Sequence, residues 1–231
     1  NRIWISTTNH WGANAEEAIR NQEPPVTRIG MADLVSSPVD WQKIMDGITG
    51  NSALVEGKKP REHQLNAISK AYVHYMSDGN DRGKLIMACG TGKTYTSLLI
   101  AEQLFGNKGL VLFMVPSIAL LGQSLNAWSA DAKKPIKAVC ICSDSKASRK
   151  TTKGSDDTDD SVVDLAVPAS TNPQSIASQL KKYRNHDGLV VVFSTYQSID
   201  AVSAAQREIL SKTNGEYGVF DFIICDEAHR T

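Results

Sequence analysis

From Pro60 onward, short apolar runs alternate with stretches of helical periodicity. "REHQLNAISKAYVHYM" places Leu65, Ile68, Ala71, Tyr72 and Tyr75 at helical spacing. The runs "KLIMA", "LVLFMVP", "IKAVCIC", "DLAVPA", "GLVVVFST" and "FDFIIC" read as strands. Between them, "KTYTSLLIAEQLF", "SIALLGQSLNAW", "NPQSIASQLKKY" and "AVSAAQREIL" read as helices. The strand runs are β-rich with little polar alternation, which predicts strands covered on both faces. The expected fold is therefore α/β, a mainly parallel sheet with helices on both faces.

Two stretches depart from this rhythm. "SDSKASRKTTKGSDDTDDSVV" has no apolar period and reads as a solvated surface loop. Its Asp156, Asp157, Asp159 and Asp160 lack the glycine and distal glutamate of a calcium loop. Residues 1–55 differ in texture, holding Trp4, Trp11 and Trp41 of the four tryptophans. There "NAEEAIRNQ" reads as a short helix capped by Asn14, and Pro24-Pro25 ends it. This segment is too small to bury a core of its own. The expected division is 1–55 for this segment and 56–231 for the α/β domain.

Composition narrows the picture only in part. The 231 residues are 41% hydrophobic and 22% charged, an ordinary globular balance. Lys plus Arg and Asp plus Glu are 25 each, so any polyanion site must be built locally. The longest apolar stretch, "GLVLFMVPSIALLG", is too short to cross a bilayer and is broken by Pro116, so no membrane partner is expected. Cys89, Cys140, Cys142 and Cys225 form no CxxC pair and read as reduced thiols of a cytoplasmic protein. On a strand, Cys140 and Cys142 would share one face.

Chemistry concentrates at two places. "MACGTGKT" lies at an expected strand-to-helix junction. Gly90 and Gly92 allow a tight curl, and with Thr91 they would turn backbone N–H groups toward phosphate oxygens. The helix that begins at Lys93 adds its positive end. Lys93 supplies an ammonium for the β and γ phosphates, and Thr94 a hydroxyl for Mg²⁺. The first glycine of the usual GxxxxGK[ST] string is replaced by Met87. The second place is "CDEAHRT" at the end of the chain. Asp226 would hold Mg²⁺ opposite Thr94, and Glu227 would polarise an attacking water. Adjacent acids closing an apolar strand are costly without a cation.

These two stretches resemble motifs I and II of the superfamily 2 helicase and translocase ATPases. "LFMVPSIALLGQ" resembles motif Ia, and "VVFSTYQSI" a later DNA-contacting motif of the same domain. Arg61-Glu62-His63-Gln64 resembles the R-x-x-Q element that reads adenine. The resemblance covers about residues 58–231 as the first of two RecA-like domains. It implies ATP and Mg²⁺ as cofactors, Lys93 and Glu227 as catalytic residues, and Arg61 and Gln64 at adenine. His229 would couple the nucleotide site to DNA. Pro116, Ser117, Gln123, Thr195, Tyr196 and Ser198 would touch a nucleic-acid backbone, with helix capping and packing as the alternative for each.

Within that family the wording is similar to restriction-type motors, including single-polypeptide Type I restriction-modification enzymes. The first 55 residues resemble the segment joining an Mrr-like nuclease domain to the motor. Glu56-Gly57-Lys58 reads as solvated linker, not as a nuclease motif. The expected function is the ATP-binding lobe of a translocase acting on double-stranded DNA. The chain stops just after motif II, so a second RecA-like domain with its arginine finger is expected in a longer protein. An RNA helicase of DEAH type and a module that holds nucleotide or DNA without turnover are the alternatives. A small-molecule kinase or GTPase would leave the DEAH and Ia-like stretches unexplained.

Overall fold

The computed structural model describes all residues except 1, 9–10, 13, 16–17, 19–25, 38, 54–56, 107, 143–168, 184, 214–218 and 229–231. Its contacts divide the chain into two compact units, Asn1–Asn66 and Ala67–Thr231. The Asp-rich stretch, most of "DLAVPA" and His229 lie outside the described residues.

In the first unit, β1 (Arg2–Ile5) and β2 (Val26–Ile29) form a two-stranded parallel sheet. Two short helices follow, α1 (Met31–Ser36) and α2 (Trp41–Met45). The Asp40 side chain caps α2 by accepting from the Lys43 amide, and the Trp41 indole N–H donates to the Leu34 carbonyl. Neither strand was expected, and Asn14, read as a cap, is itself helical. Four-residue strands carry too few positions for alternation to show. Among the described residues of this unit Val26 and Ala53 are buried, while Ile5 and Met45 stand exposed.

Helix α3 (Glu62–Tyr72) continues into a π-helical turn, Val73–Ser77. The second unit is then a four-stranded sheet. Its strands are β3 (Lys108–Val115), β4 (Lys137–Ile141), β5 (Gly188–Thr195) and β6 (Phe222–Cys225), in the order β4-β5-β3-β6. All three pairings are parallel. Its helices are α4 (Lys93–Phe105), α5 (Ile118–Asp131), α6 (Pro173–Lys182) and α7 (Ile199–Thr213).

Strand alternation sends side chains to two cores. Val111, Phe113, Val115, Val191 and Phe193 pack with Leu98 and Ala101 of α4 and Leu121, Leu125 and Trp128 of α5. Leu112, Val139, Ile141 and Val192 pack on the other face with Ile176 and Leu180 of α6 and Val202 and Ile209 of α7. Helices thus cover both faces, as the unbroken apolar runs predicted. Cys140 and Cys142 are buried in the same core, on one face as expected.

One expected strand is absent. Lys84–Ala88, read as a buried strand, is neither paired nor buried; Ile86 is 91% exposed. Its apolar letters are those of a strand, but a strand exists only where a neighbour completes the ladder. Among the described residues β6 is the edge of the sheet and pairs with β3 alone.

Candidate nucleotide and magnesium site

The site lies at the carboxyl edge of the sheet. β3 and β5 run in register to their last residues, Val115 opposite Thr195, and β6 ends at Cys225 opposite Met114. One residue further, the Asp226 amide donates to the Met114 carbonyl at 2.9 Å. This fixes where the carboxylates emerge.

The phosphate-loop residues adopt the backbone that their glycines allow. Gly90 and Gly92 have φ of 75° and 84°, a left-handed region that costs other residues about 1–2 kcal/mol each. Gly92 is the N-cap of α4, so Lys93 and Thr94 open the helix at its positive end. The Thr91 hydroxyl donates to the Ala88 carbonyl at 2.6 Å and closes the loop on itself. The buried Trp128 donates its indole N–H to the Thr94 carbonyl at 3.1 Å. Trp128 stands edge-on to Phe113 and Phe193, so the main core of the sheet steadies the first turn of α4.

The two halves meet directly. The Lys93 ammonium donates to Glu227 Oε1 at 2.7 Å, across 134 positions of sequence. That hydrogen bond raises the lysine above its ordinary range, helped by the charge of Asp226. Asp226 is itself pushed up, first by desolvation and then by the Glu227 charge, with Lys93 opposing. Two neighbouring carboxylates and one ammonium leave room for more positive charge. Glu227 has a φ of 53°, the one non-glycine residue with positive φ among the described residues. Asp226 Oδ1 accepts from the Glu227 amide at 3.1 Å within this turn.

Asp226 and Thr94 supply a carboxylate and a hydroxyl, oxygen donors that suit magnesium. Among the described residues, no hydrogen bond engages the Thr94 hydroxyl. No group of three or more His, Cys, Asp or Glu side chains among them could hold a metal ion. Magnesium sites completed by phosphates and water need only one or two protein oxygens, so the donor set fits.

The other expected residues separate by environment. Arg61 and Gln64 open α3 in a reciprocal pair: the Arg61 amide donates to Gln64 Oε1, and the Gln64 amide to the Arg61 carbonyl, both at 2.9 Å. They belong to the first unit and Lys93 to the second. Ser117 is the N-cap of α5, its hydroxyl accepting from the Leu120 amide at 3.3 Å, so capping occupies it here. Pro116 precedes it, and Gln123 is exposed on α5. Thr195 and Ser198 are buried and hydrogen-bonded to each other at 3.1 Å. Tyr196, beside them, sends its hydroxyl to the Asp226 carbonyl at 2.9 Å. Neither the Trp128–Thr94 link nor the Tyr196–Asp226 link was expected, because local sequence carries no sign of contacts 34 and 30 positions apart.

Comparison with known proteins bears on the family and the fold. Residues 57–231 match the family described as Type III restriction enzyme, res subunit, and residues 1–51 match a restriction endonuclease family, Mrr_cat_2. The chain is 33% identical to the ATP-dependent Type ISP restriction-modification enzyme LlaBIII bound to DNA, with a TM-score of 0.73, covering 99% of this chain and 14% of that one. A nuclease-deletion mutant of the Type ISP enzyme LlaGI, in complex with a DNA substrate mimic, is 39% identical over 74% of this chain and 15% of that one, with a TM-score of 0.59. The Type I restriction enzyme EcoAI endonuclease subunit of Escherichia coli is 43% identical over 72 residues, 30% of this chain and 9% of that protein. The chain thus spans about a seventh or less of these relatives. It carries the RecA-like α/β domain of the superfamily 2 helicases and translocases, and it belongs to the Type III restriction enzyme res subunit family.

Proposed function

We propose that this chain is the ATP-binding lobe of a translocase that moves on double-stranded DNA within a restriction-modification enzyme. The observation that carries this reading is the 2.7 Å contact of Lys93 with Glu227, which joins the phosphate loop to the Asp226–Glu227 turn at the carboxyl edge. Lys93, Thr94 and the N–H groups around Gly90, Thr91 and Gly92 hold the triphosphate. Asp226 and Thr94 would hold Mg²⁺, which when bound neutralises charge on the β and γ phosphates. With Lys93 drawn onto the phosphates, Glu227 is released to accept a proton from the attacking water. Arg61 and Gln64 serve the adenine.

The two Type ISP relatives were solved with DNA or a DNA mimic, which supports DNA as partner over the RNA reading. A second RecA-like domain, contributed by a longer protein, would supply the arginine needed for fast turnover. Residues 1–51 would belong to a nuclease domain, in line with the family they match. No helix among the described residues is long and apolar enough to cross a membrane, and a cytoplasmic setting is proposed.

Titration calorimetry with ATP and Mg²⁺ tests the reading. Binding is expected for the native chain and a large loss for Lys93→Ala, because a charge-assisted phosphate contact disappears. Equal binding by both overturns it.

A further inference from the structure

The turn that carries Asp226 and Glu227 has an unusual need for support. Glu227 sits in the left-handed region with φ 53°, where a side chain crowds the backbone. The Asp226 amide is tied to β3 through Met114, but β6 has ended at Cys225 and, among the described residues, no strand takes the Asp226 carbonyl. That carbonyl accepts instead from the Tyr196 hydroxyl, at 2.9 Å. We infer that Tyr196 is a positioning residue, holding the Asp226–Glu227 turn in its metal-ready form from the end of β5.

Tyr196 is well placed for this. It opens the 3₁₀ turn Tyr196–Ser198 that follows β5, and the buried Thr195–Ser198 hydrogen bond fixes that turn. Tyr196 is partly buried. Its hydroxyl reaches the first residue beyond β6. Removing only the phenolic oxygen should let the turn rotate and misplace the Asp226 carboxylate. It should leave the phosphate loop, which Trp128 and Thr91 hold, undisturbed.

The inference rests on the nucleotide-binding reading, and the test separates the two. A fluorescent ADP analogue is titrated into the chain in EDTA and then against rising Mg²⁺. For Tyr196→Phe, affinity in EDTA should stay within about twofold of the native value. The Mg²⁺ concentration for half-maximal enhancement should rise roughly three- to tenfold, the worth of one ordinary hydrogen bond. Ile176→Val, a core change on α6, controls for general loosening and should leave that concentration unmoved. If the native chain binds no nucleotide, the functional reading itself falls, and this inference with it. If nucleotide binds and Tyr196→Phe shows the native Mg²⁺ response, or loses affinity equally in EDTA, only the inference is overturned.

Should Tyr196→Phe not fold, the native chain labelled with 3-fluorotyrosine gives a second readout. The Tyr196 fluorine resonance, assigned by replacing the other tyrosines with phenylalanine, should shift when Mg²⁺ joins bound ADP. A resonance that ignores Mg²⁺ overturns the inference.

Discussion

The Lys93 ammonium and the Glu227 carboxylate are hydrogen-bonded at 2.7 Å, so the groups proposed to meet phosphate and water occupy each other. Under the proposed function, nucleotide entry would part them. Both side chains are partly exposed, at 31% and 22%, so solvent screens the pair. Its worth lies near that of a surface ion pair, about 0.2–1 kcal/mol.

Glu227→Gln should therefore bind ATP and Mg²⁺ somewhat more tightly, by roughly two- to fivefold, because Lys93 no longer leaves a charged partner. Calorimetry on the two proteins measures this. Weaker binding by the glutamine variant would show that Glu227 aids nucleotide capture instead of competing for Lys93.

Gly92→Ala should cost about 1–2 kcal/mol of folding stability, since φ there is 84° and alanine is strained in that region. Nucleotide affinity should fall as well, because relief of the strain reopens the phosphate cradle. Urea unfolding and nucleotide titration report the two effects separately, and an unchanged urea midpoint would contradict the strain argument.

Trp128→Phe removes the indole donor to the Thr94 carbonyl and leaves a gap beside Phe113 and Phe193. A loss of about 1–3 kcal/mol is expected for one lost hydrogen bond and lost volume in a closed core, the Thr94 carbonyl keeping the Ser97 hydroxyl as a donor. The variant should also show faster amide exchange in the first turn of α4, which mass spectrometry after hydrogen exchange would detect.

Thiol accessibility gives a fourth prediction. Cys89 and Cys225 are exposed and flank the site, whereas Cys140 and Cys142 are buried. A thiol reagent should modify the first two in the native chain and all four in denaturant, and ATP with Mg²⁺ should slow the native reaction. Burial pushes Cys140 up to about 12 from an ordinary 9.0. The unfolded thiol then ionises first as pH rises, so this group's contribution to stability is intact below pH 9 and declines between about 9 and 12. Denaturant midpoints measured across that range for native protein and Cys140→Ala would reveal the difference.

The sequence was most informative where local pattern and burial coincide. The eight residues of β5 were readable because all are buried or nearly so, and α4 because its glycine cap and apolar stripe agree. Lys93, Thr94, Asp226 and Glu227 could be named from motif chemistry. What stayed hidden depended on partners distant in sequence. Lys84–Ala88 has strand composition but, among the described residues, no neighbour to pair with. Tyr196 carried a motif role by resemblance, while its hydroxyl is bound to a carbonyl of another strand.

The register of β6 against β3 also has a kinetic consequence. Met114 pairs with Cys225, so the last ladder joins segments more than a hundred residues apart. Loop closure of that span is slow and entropically opposed, and every other pairing in the sheet is parallel and non-local too. The Asp226–Glu227 turn can meet Lys93 only after that closure. Competence to bind nucleotide should therefore be among the last properties to appear during refolding, arriving with β6 and trailing the helical signal. Nucleotide would then act as a latch on a completed sheet, slowing its reopening without hastening its formation.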